Sequence, residues 1–518
     1  MATIGKNILD NLTTGMYSDS KVIYREYIQN ACDQIDEAIK RGILSEEDAC
    51  IDIFIDEKKR YISIKDNATG IRSKDFVENI GDIANSNKKI GENKGFRGIG
   101  RLCGLAYCKT LRFTTSYEKE KVRSIMTCNA KLMRDMLYAE KKYTLDEIWD
   151  EIISFDIEPD KEDSHYFEVE LIDINNVNQD LLNKEKICDY LSFVAPVPYC
   201  NNFLLRNQIY NYSKSIGYHI DEYCIKVNGK EIFKDYYTRL KEPGKNGSPQ
   251  NYDEIFKCMF KDFRDHDENI IAWLWIGLSR FEKQIPPINR MRGIRIRSSN
   301  IQIGDDNALH DLFKEPRGNY YFVGELFAIS KDLIPNSQRN YFNENETRVL
   351  LEDLLRQFFY SDLHKLYTQA NRIKNDFKRQ KELSDMINDY NNKVENHGFV
   401  NDGERQRDKE NIDKATKEAE AAQKRLERDK NEDSSSPLAE VRNHIEKTFK
   451  SQVLPKPDVI SPVGNTGKGK KNAFITDAMS KLSKSERKLV SKILTIIHDV
   501  APKDIADQII DKIKDEMR

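Results

Sequence analysis

The stretch REYIQNACDQIDEAIKRG, residues 25–42, constrains the fold and chemistry of this chain more than any other stretch. It predicts a helix over residues 20–41 that ends at Gly42, because apolar residues recur on one side at steps of three and four. Glu26, Asn30 and Asp33 are spaced i, i+4 and i+7, so they project together from the opposite side. Asn is a poor residue for a helix interior, so this face is either an ordinary solvated surface or a chemical site.

The length and composition of the chain predict a multidomain protein of the reduced cytoplasm. Its 518 residues are 39% hydrophobic and 33% charged, which is typical of three or four domains of about 100–200 residues each. The nine cysteines are an odd number without a CxxC pair, which favours free thiols over a disulfide scaffold. No stretch reaches the roughly 18 apolar residues of a membrane span, so we expect no membrane partner. The net charge of −3 neither favours nor excludes nucleic acid.

The hydrophobic pattern of the first 350 residues predicts two domains of mixed α/β structure. IDIFID (51–56) and RYISIKD (60–66) alternate in period two around a polar turn, as the strands of a hairpin do. EYCIKVNGKEIFKDY contains the Asn-Gly signal of a second hairpin, and NIIAWLWIGLS is typical of a buried strand. We therefore predict an N-terminal α/β domain over residues 1–190 and an α/β middle domain over residues 200–350.

The sequence beyond residue 350 is predicted to be helical. Residues 351–431 end in a charged run with the a/d seam of a coiled coil, formed by Ile412, Ala415, Ala419, Ala422 and Leu426. Residues 432–472 are rich in Pro, Gly and Ser and indicate a linker. Residues 473–518 predict two amphipathic helices broken at Pro502, a candidate dimerisation module. The fold class is therefore α+β with a helical, coiled-coil C-terminal region.

A second polar signal follows the first hairpin. ISIKDNATGI places Asp66 at the end of a strand, directly before a turn of small residues. A carboxylate in that position can accept a hydrogen bond from an exocyclic amine while the small neighbours let a flat ring approach. The alternative is a plain Asp-Asn turn, which is common.

A third signal is a glycine-rich segment that leads into an apolar stretch. Six of the 24 glycines of the chain fall within residues 81–104, GDIANSNKKIGENKGFRGIGRLCG. Glycines before a helix expose backbone N–H groups, which bind anions. One Gly-x-Gly is weak evidence, but here it follows the acid/Asn helix and the strand-end Asp in a fixed order.

The order of these three motifs resembles that of the GHKL ATPase superfamily, which includes gyrase, the ninety-kilodalton heat-shock chaperones, histidine kinases and MutL. EYIQNACD resembles its Glu-x-x-x-Asn-x-x-Asp motif, and DNATG resembles Asp-x-Gly-x-Gly with Ala68 at the first glycine. GFRGIG is similar to the lid motif, and the chaperone (HtpG-like) branch is the closest match. The resemblance implies that the N-terminal domain is a Bergerat-type α/β sandwich. The fourth motif of the family is poorly matched, with Ser164 as its nearest candidate.

The resemblance also implies roles for the residues of the first two motifs. Glu26 would be the general base that polarises the attacking water. Asn30 would bind Mg²⁺, and Asp33 would shape the same pocket. Asp66 would contact the adenine amine of ATP, and Gly70 would flank the ring.

The lid motif implies contacts with the phosphates. Backbone groups of Gly95, Gly98 and Gly100 would hold them. Lys88 and Lys89 are further candidates for phosphate contact, although lysines in a loop are more often simply solvated.

One further catalytic candidate lies in the middle domain. KDLIPNSQRNYF (331–342) is similar to the catalytic loop in the middle domain of the chaperones, which implies that Arg339 reaches the γ-phosphate. A guanidinium there would stabilise transition-state charge. The alternative is a solvated arginine. MutL-type relatives use a lysine from a different fold, so this residue bears on the branch of the family.

Two other basic motifs also have simpler interpretations. GNTGKGKK (464–471) nearly has Walker A spacing, but Lys471 replaces the Ser or Thr that holds Mg²⁺, so it is interpreted as a basic linker. GIRIRSSN, with Arg292, Arg295 and Arg297 in or beside it, is either a strand that meets a nucleic-acid backbone or a solvated face.

The leading functional hypothesis is a cytoplasmic, Mg²⁺-dependent, ATP-hydrolysing conformational machine of the chaperone kind. Nucleotide would close the lid and pair the N-terminal domains of a homodimer that acts on a client or partner protein. One alternative is a DNA-associated clamp like MutL or the MORC proteins, in defence against foreign DNA. Another is a nucleotide-binding switch with little or no turnover.

Overall fold

The computed structural model describes residues 19–81, 100–141, 143–395, 399, 402–432, 436–450 and 482–517. The chain divides into two compact units, Met1–His364 and Lys365–Arg518. In the described residues no helix has both the length and the apolar character needed to cross a membrane. The predicted α+β fold class is confirmed.

The first unit contains an eight-stranded sheet with the order β5-β4-β3-β6-β2-β1-β7-β8. Its strands are β1 (Cys50–Asp56), β2 (Tyr61–Asp66), β3 (Cys108–Ser116), β4 (Val122–Asn129), β5 (Ile153–Pro159), β6 (Tyr166–Ile174), β7 (Cys224–Val227) and β8 (Lys230–Glu231). The helices in this region are α1 (Val22–Lys40), α2 (Phe76–Gly81), α3 (Ala130–Tyr138), α4 (Leu145–Ile152), α5 (Lys184–Val194) and α6 (Arg206–Ser215). The predicted first hairpin is present, and its register pairs Ile51 with Asp66.

Helix α1 packs its apolar side on the first sheet and carries the polar face on its opposite side. Its apolar side is buried in the same hydrophobic core as the inner residues of β1 and β2, with Ile28, Cys32 and Ile35 almost fully enclosed. The helix ends before Gly42, whose φ of +69° suits a residue without a side chain. The predicted helix is therefore confirmed, and its polar face turns toward the segment that begins at Gly100.

The second sheet lies in the same unit and has the order β11-β12-β15-β13-β14. Its strands are β11 (Lys257–Arg264), β12 (Ile270–Leu278), β13 (Gly293–Ser298), β14 (Ile301–Ile303) and β15 (Val323–Ala328), beside a separate pair β9 (Arg239–Pro243) and β10 (Pro249–Glu254). The predicted buried strand is β12, which carries the enclosed side chains of Trp273 and Trp275. Helix α7 (Glu346–Phe358) and a π turn (Phe359–Leu363) follow β15.

The second predicted hairpin joins a different sheet from the one the sequence suggests. The sequence places EYCIKVNGKEIFKDY in the middle domain, but β7 pairs in parallel with β1 and extends the first sheet. The reason is hydrophobic, since Ile225 and Val227 are buried in the same core as Ile51 and Ile53. The predicted domain bounds themselves remain predictions.

The interpretation of GIRIRSSN as an exposed basic strand is wrong for two of its arginines. Arg297 is completely buried in β13, and Arg295 is nearly so. Glu325 of β15 accepts a hydrogen bond from Arg297 Nε at 2.7 Å and lies 3.1 Å from Lys234 Nζ. Burial disfavours a charged Glu325, but the cations of Arg297 and Lys234 outweigh it and lower the pKa of this carboxyl to about 2. Arg297 therefore pairs with a carboxylate inside the fold, whereas Arg295 donates to the Gln302 side chain at 3.4 Å and to the Arg290 carbonyl.

The second unit is helical in its described residues. It comprises most of α8 (His364–Glu395), together with α9 (Asp402–Glu432), α10 (Pro437–Lys450), α11 (Lys484–Val500) and α12 (Lys503–Glu516). The predicted seam of α9 is buried except at Ala415, which is half-buried, and Ile412 and Ala419 pack with Leu383 and Tyr390 of α8. The seam is thus used within the chain, while the coiled-coil geometry remains a prediction. Gly-rich residues 464–471 lie outside the described residues.

Candidate functional site

The polar face of α1 carries a buried carboxylate with two arginine partners. Glu26 is 7% exposed, although it lies on the side of the helix away from the apolar stripe. Its Oε1 lies 3.3 Å from Arg25 Nη2 and 3.5 Å from Arg339 Nε. Arg25 and Arg339 are themselves nearly buried. Glu26 and Arg339 are each predicted as catalytic residues, and they meet in the structure although they are 313 positions apart in the chain.

The loop that carries Arg339 is held in a defined conformation. Pro335 and Phe342 form an isolated β-bridge at its base. Arg339 has a φ of +54°, a left-handed value that is uncommon for a residue with a side chain. Its carbonyl accepts a hydrogen bond from the Gly304 backbone N–H at 2.9 Å. Arg25 Nη2 also donates to the Gln338 carbonyl at 3.3 Å, so one guanidinium spans the helix and the loop.

The segment that follows the predicted lid motif lies against Glu26. A 3-10 helix (Gly100–Ala106) begins beside Glu26, and a Cβ on Gly100 would lie 2.7 Å from Glu26 Oε2. Tyr27 fixes this segment, because its hydroxyl donates to the Arg101 carbonyl and accepts from the Gly104 N–H, each at 3.0 Å. The predicted lid residues Lys88, Lys89, Gly95 and Gly98 lie outside the described residues.

Asp66 is the last residue of β2, and the turn that follows it contacts α1, where Thr69 Oγ1 donates to Gln34 Oε1 at 3.2 Å. The Asp66 carboxylate is 3% exposed and accepts a hydrogen bond from the Ala68 N–H at 3.1 Å. Burial raises the pKa of Asp66 to about 7, although backbone hydrogen bonds from Ala68 and Phe167 act in the opposite direction. The surroundings of this carboxyl therefore hold its pKa close to neutral pH.

The turn after Asp66 is tightly packed against its neighbours. Ala68 is fully buried, and its carbonyl lies 2.8 Å from His165 Nδ1. Gly70 has a φ of +65°, and a Cβ there would fall 1.9 Å from the Ser116 carbonyl oxygen. Alanine at position 68 thus replaces the expected glycine without opening the turn, whereas only glycine fits at position 70.

Asn30 and Asp33 lie on α1 one and two turns beyond Glu26. Asn30 is half-buried and Asp33 is buried. The described residues contain no group of three His, Cys, Asp or Glu side chains arranged to hold a metal ion. Mg²⁺ commonly takes one or two protein oxygens together with phosphate oxygens and waters, so Asn30 alone is compatible with a nucleotide-bound Mg²⁺.

The site also has the features that an anionic, flat ligand requires. Arg25 Nε is buried without a hydrogen-bond partner among the described residues, so a donor is left over beside Glu26. The absence of a Cβ at Gly100 lets the backbone approach the same carboxylate closely. These residues fit a nucleotide with Mg²⁺. The individual roles of the predicted site residues stay predictions.

Three contributors were not predicted from the sequence. Arg25 and Tyr27 flank Glu26 on the helix. From the sequence, Arg25 indicates only a surface position and Tyr27 only a core position. His165 follows Ser164, the candidate for the fourth motif. Ser164 contacts Asp160 instead, at 3.4 Å, so His165 is the residue that reaches the turn. Only an alignment of relatives or the fold itself could have singled them out.

Comparison with known proteins finds a family likeness for the N-terminal part of the chain. Residues 17–158 match the family model described as histidine kinase-, DNA gyrase B-, and HSP90-like ATPase. The match contains Glu26, Asn30, Asp33, Asp66, Gly70 and Gly100. The predicted resemblance to the GHKL ATPases is therefore confirmed for this part of the chain.

The curated relatives that match include chaperone proteins named HtpG. The chaperone protein HtpG of Wigglesworthia glossinidia brevipalpis is 34% identical over 90 residues, and that of Legionella pneumophila (strain Lens) is 38% identical over 90 residues. HtpG of Coxiella burnetii (strain RSA 493) is 36% identical over 87 residues. Each match covers 16% of this chain and 14% of the relative. The chain thus spans 14% of the length of the curated relatives it matches.

Proposed function

We propose that this chain is a Mg²⁺-dependent ATPase that works as a chaperone-like conformational machine. The observation that carries the proposal is the contact between Glu26 of α1 and Arg339 of the distant loop, 3.5 Å apart and almost completely buried. The match of residues 17–158 to an ATPase family model supports it. The short match to HtpG chaperones supports the chaperone class.

The proposed chemistry assigns one task to each part of the site. Glu26 orients the attacking water and accepts its proton. Asn30 holds Mg²⁺, and Asp33 shapes the pocket beside it. Arg339 moves from Glu26 to the γ-phosphate, where its charge stabilises the transition state. Before nucleotide binds, Arg339 is paired with Glu26. Glu26 would become available as a base only when the phosphates compete for the guanidinium.

The nucleotide is proposed to lie along α1 with its base at the far end. Asp66 accepts a hydrogen bond from the adenine amine, and Gly70 lies beside the ring. Guanine carries a carbonyl oxygen at the position of that amine, so a carboxylate there favours adenine. The phosphates are proposed to be held by Lys88, Gly95, Gly98 and Gly100. Closure of the lid over the phosphates would couple the first sheet to the second.

A homodimer is proposed to form through the C-terminal hairpin of α11 and α12. Apolar side chains at helical spacing remain exposed on α11, namely Leu489 at 60%, Ile493 at 43%, Ile496 at 61% and Val500 at 79%. Helix α11 has an excess of basic side chains and α12 an excess of acidic ones, so α11 of one copy complements α12 of another. The seam of α9 is already buried within the chain, which favours the hairpin over that seam as the dimer contact.

Phosphate release by the full chain in Mg-ATP tests the enzymatic proposal. We expect turnover by the wild type, and none by Glu26→Ala with nucleotide binding retained. Glu37→Ala is the matched control, since Glu37 lies on the same helix and pairs with Arg41 at 2.6 Å. Equal, near-zero turnover of wild type and Glu26→Ala would contradict the ATPase and favour the switch. Salt-sensitive binding of DNA with stimulated turnover would instead favour the clamp.

Sedimentation of the full chain tests the dimer separately. Leu489→Glu should shift the mass from dimer to monomer, because a charge would replace an apolar contact at the interface. Val177→Glu is the control, since Val177 is 91% exposed in the first unit. A dimer that survives Leu489→Glu would contradict this interface and leave the ATPase proposal intact.

A further inference from the structure

Two cysteine thiols face each other across neighbouring strands of the first sheet. Cys50 begins β1 and Cys224 begins β7, and they are directly paired in the parallel register of these strands. Their Sγ atoms lie 3.0 Å apart, although 174 positions separate the residues in the chain. None of the nine cysteines, all within the described residues, forms a disulfide.

The backbone geometry at this pair is compatible with a disulfide. Neighbouring strands lie about 4.8 Å apart, and disulfides join residues whose Cα atoms are roughly 4.4–6.8 Å apart. Because the two residues are register partners, their side chains project from the same face of the sheet. A bond between them therefore needs a rotation of side chains and only a small movement of backbone.

The pair lies on the face of the sheet that is open to oxidants. Ile51 and Ile225, one position further along each strand, point into the hydrophobic core, so the cysteines point the other way. Both thiols are only half-buried, and Asp52, which projects from the same face, is exposed. Small molecules can therefore reach either sulfur.

We propose that Cys50 and Cys224 form a reversible redox modification site that takes small-molecule disulfides such as oxidised glutathione. One cysteine thiolate attacks the disulfide, which breaks the S–S bond and forms a mixed disulfide while one thiolate leaves. The second cysteine thiolate then attacks the mixed disulfide at the protein sulfur and expels the other thiolate. The two protons of the protein thiols end on the two released thiols, so two protein thiols are oxidised and one disulfide is reduced.

The surroundings slow the oxidation of the pair at neutral pH. Burial, and after it the hydrogen bond and charge of Cys224, raise the pKa of the Cys50 thiol to about 12. Attack by a thiolate is therefore slow at neutral pH. Disulfides in reducing compartments are usually transient and redox-sensing, which is the behaviour expected of this pair.

A bond at this position would fix the junction between the two sheets of the first unit. β7 follows α5 and α6 and precedes the strands of the second sheet. Tyr223, next to Cys224, donates a hydrogen bond to Asp36 of α1 at 2.6 Å. The disulfide would fasten this segment covalently to the sheet on which α1 packs. The inference does not depend on the proposed ATPase activity.

Peptide mass spectrometry of the full chain tests the proposal. The protein is incubated with oxidised glutathione at mildly alkaline pH, blocked with an alkylating agent and digested without reductant. We expect a peptide that joins Cys50 to Cys224, lighter by two hydrogen atoms than its separate parts and lost after reduction. The link should persist in Cys188→Ser and Cys200→Ser, which remove other half-buried thiols. In Cys224→Ser, Cys50 should instead retain glutathione.

The same experiment can overturn the proposal on the unmodified chain, so it does not depend on a variant that folds. Alkylation of both Cys50 and Cys224 after oxidation would overturn it. Stable glutathione on each of them separately, or a Cys50 link to a second copy of the chain, would overturn it as well.

Discussion

The affinity of the site for adenine nucleotides should depend on pH through Asp66. Burial raises the pKa of this carboxyl from 3.8 to about 7, a shift that corresponds to about 4 kcal/mol against the ionised form. A hydrogen bond from the adenine amine requires the ionised carboxylate. With a pKa of about 7, about one tenth of the protein is ionised at about pH 6 and about nine tenths at about pH 8. The affinity should thus fall about tenfold from the higher to the lower pH.

The corresponding effect on stability has a definite sign. The folded-state pKa lies above the ordinary value of 3.8, so the folded protein holds this proton more tightly than the unfolded chain. The stabilising contribution is therefore complete below about pH 4 and is lost as the pH rises through about 7. Bound adenine offsets part of that loss because it stabilises the charge.

Calorimetric titration with ADP and Mg²⁺ across this pH range is the assay. Asp66→Asn is the reference, because its amide does not titrate and reports only the ionisation of the nucleotide itself. At the higher pH this variant should bind about 10- to 100-fold more weakly, since a hydrogen bond to a charged group contributes about 1.5–3 kcal/mol. Asp52→Asn, at an exposed position on β1, should behave as wild type. Identical pH profiles for wild type and Asp66→Asn would refute the reasoning.

Three substitutions test other parts of the structure. Gly70→Ala should destabilise the fold by about 2–4 kcal/mol, because its Cβ would fall 1.9 Å from the Ser116 carbonyl oxygen at a φ of +65°; an unchanged thermal midpoint would contradict this. Arg25→Gln should lower ATP turnover about 10- to 100-fold, because Glu26 loses a partner that positions it; wild-type turnover in a phosphate-release assay would argue against that role. Glu325→Gln should destabilise by about 3–5 kcal/mol, because two buried cations lose their counter-ion; a wild-type urea midpoint would speak against the buried cluster.

The parts of the structure that follow from local patterns could be predicted from the sequence. The spacing of Glu26, Asn30 and Asp33 is a helical one, and the opposite apolar side required a core. The alternation around the first turn required a hairpin that places Asp66 at a strand end. Such patterns depend on neighbours within a few residues, and these are visible in the sequence.

The parts that depend on distant partners could not be predicted in this way. Nothing in the sequence near Arg297 indicates that it would pair with a carboxylate 28 positions later, inside the fold. The strand β7 pairs with β1 although 174 positions separate Cys224 from Cys50, so its membership of the first sheet is decided by a hydrophobic core and not by its own alternation. Arg25 shares a helix with Glu26, but its second partner, the Gln338 carbonyl, comes from a loop far along the chain.

A crystal structure of the full chain with Mg²⁺ and a non-hydrolysable ATP analogue tests the central claim most directly. We predict that the adenine amine donates to the Asp66 carboxylate and that Mg²⁺ binds the Asn30 side-chain oxygen. Arg339 should contact the γ-phosphate and no longer lie within 3.5 Å of Glu26. A nucleotide bound elsewhere, or one bound here with Arg339 still on Glu26 and away from the phosphates, would contradict the account.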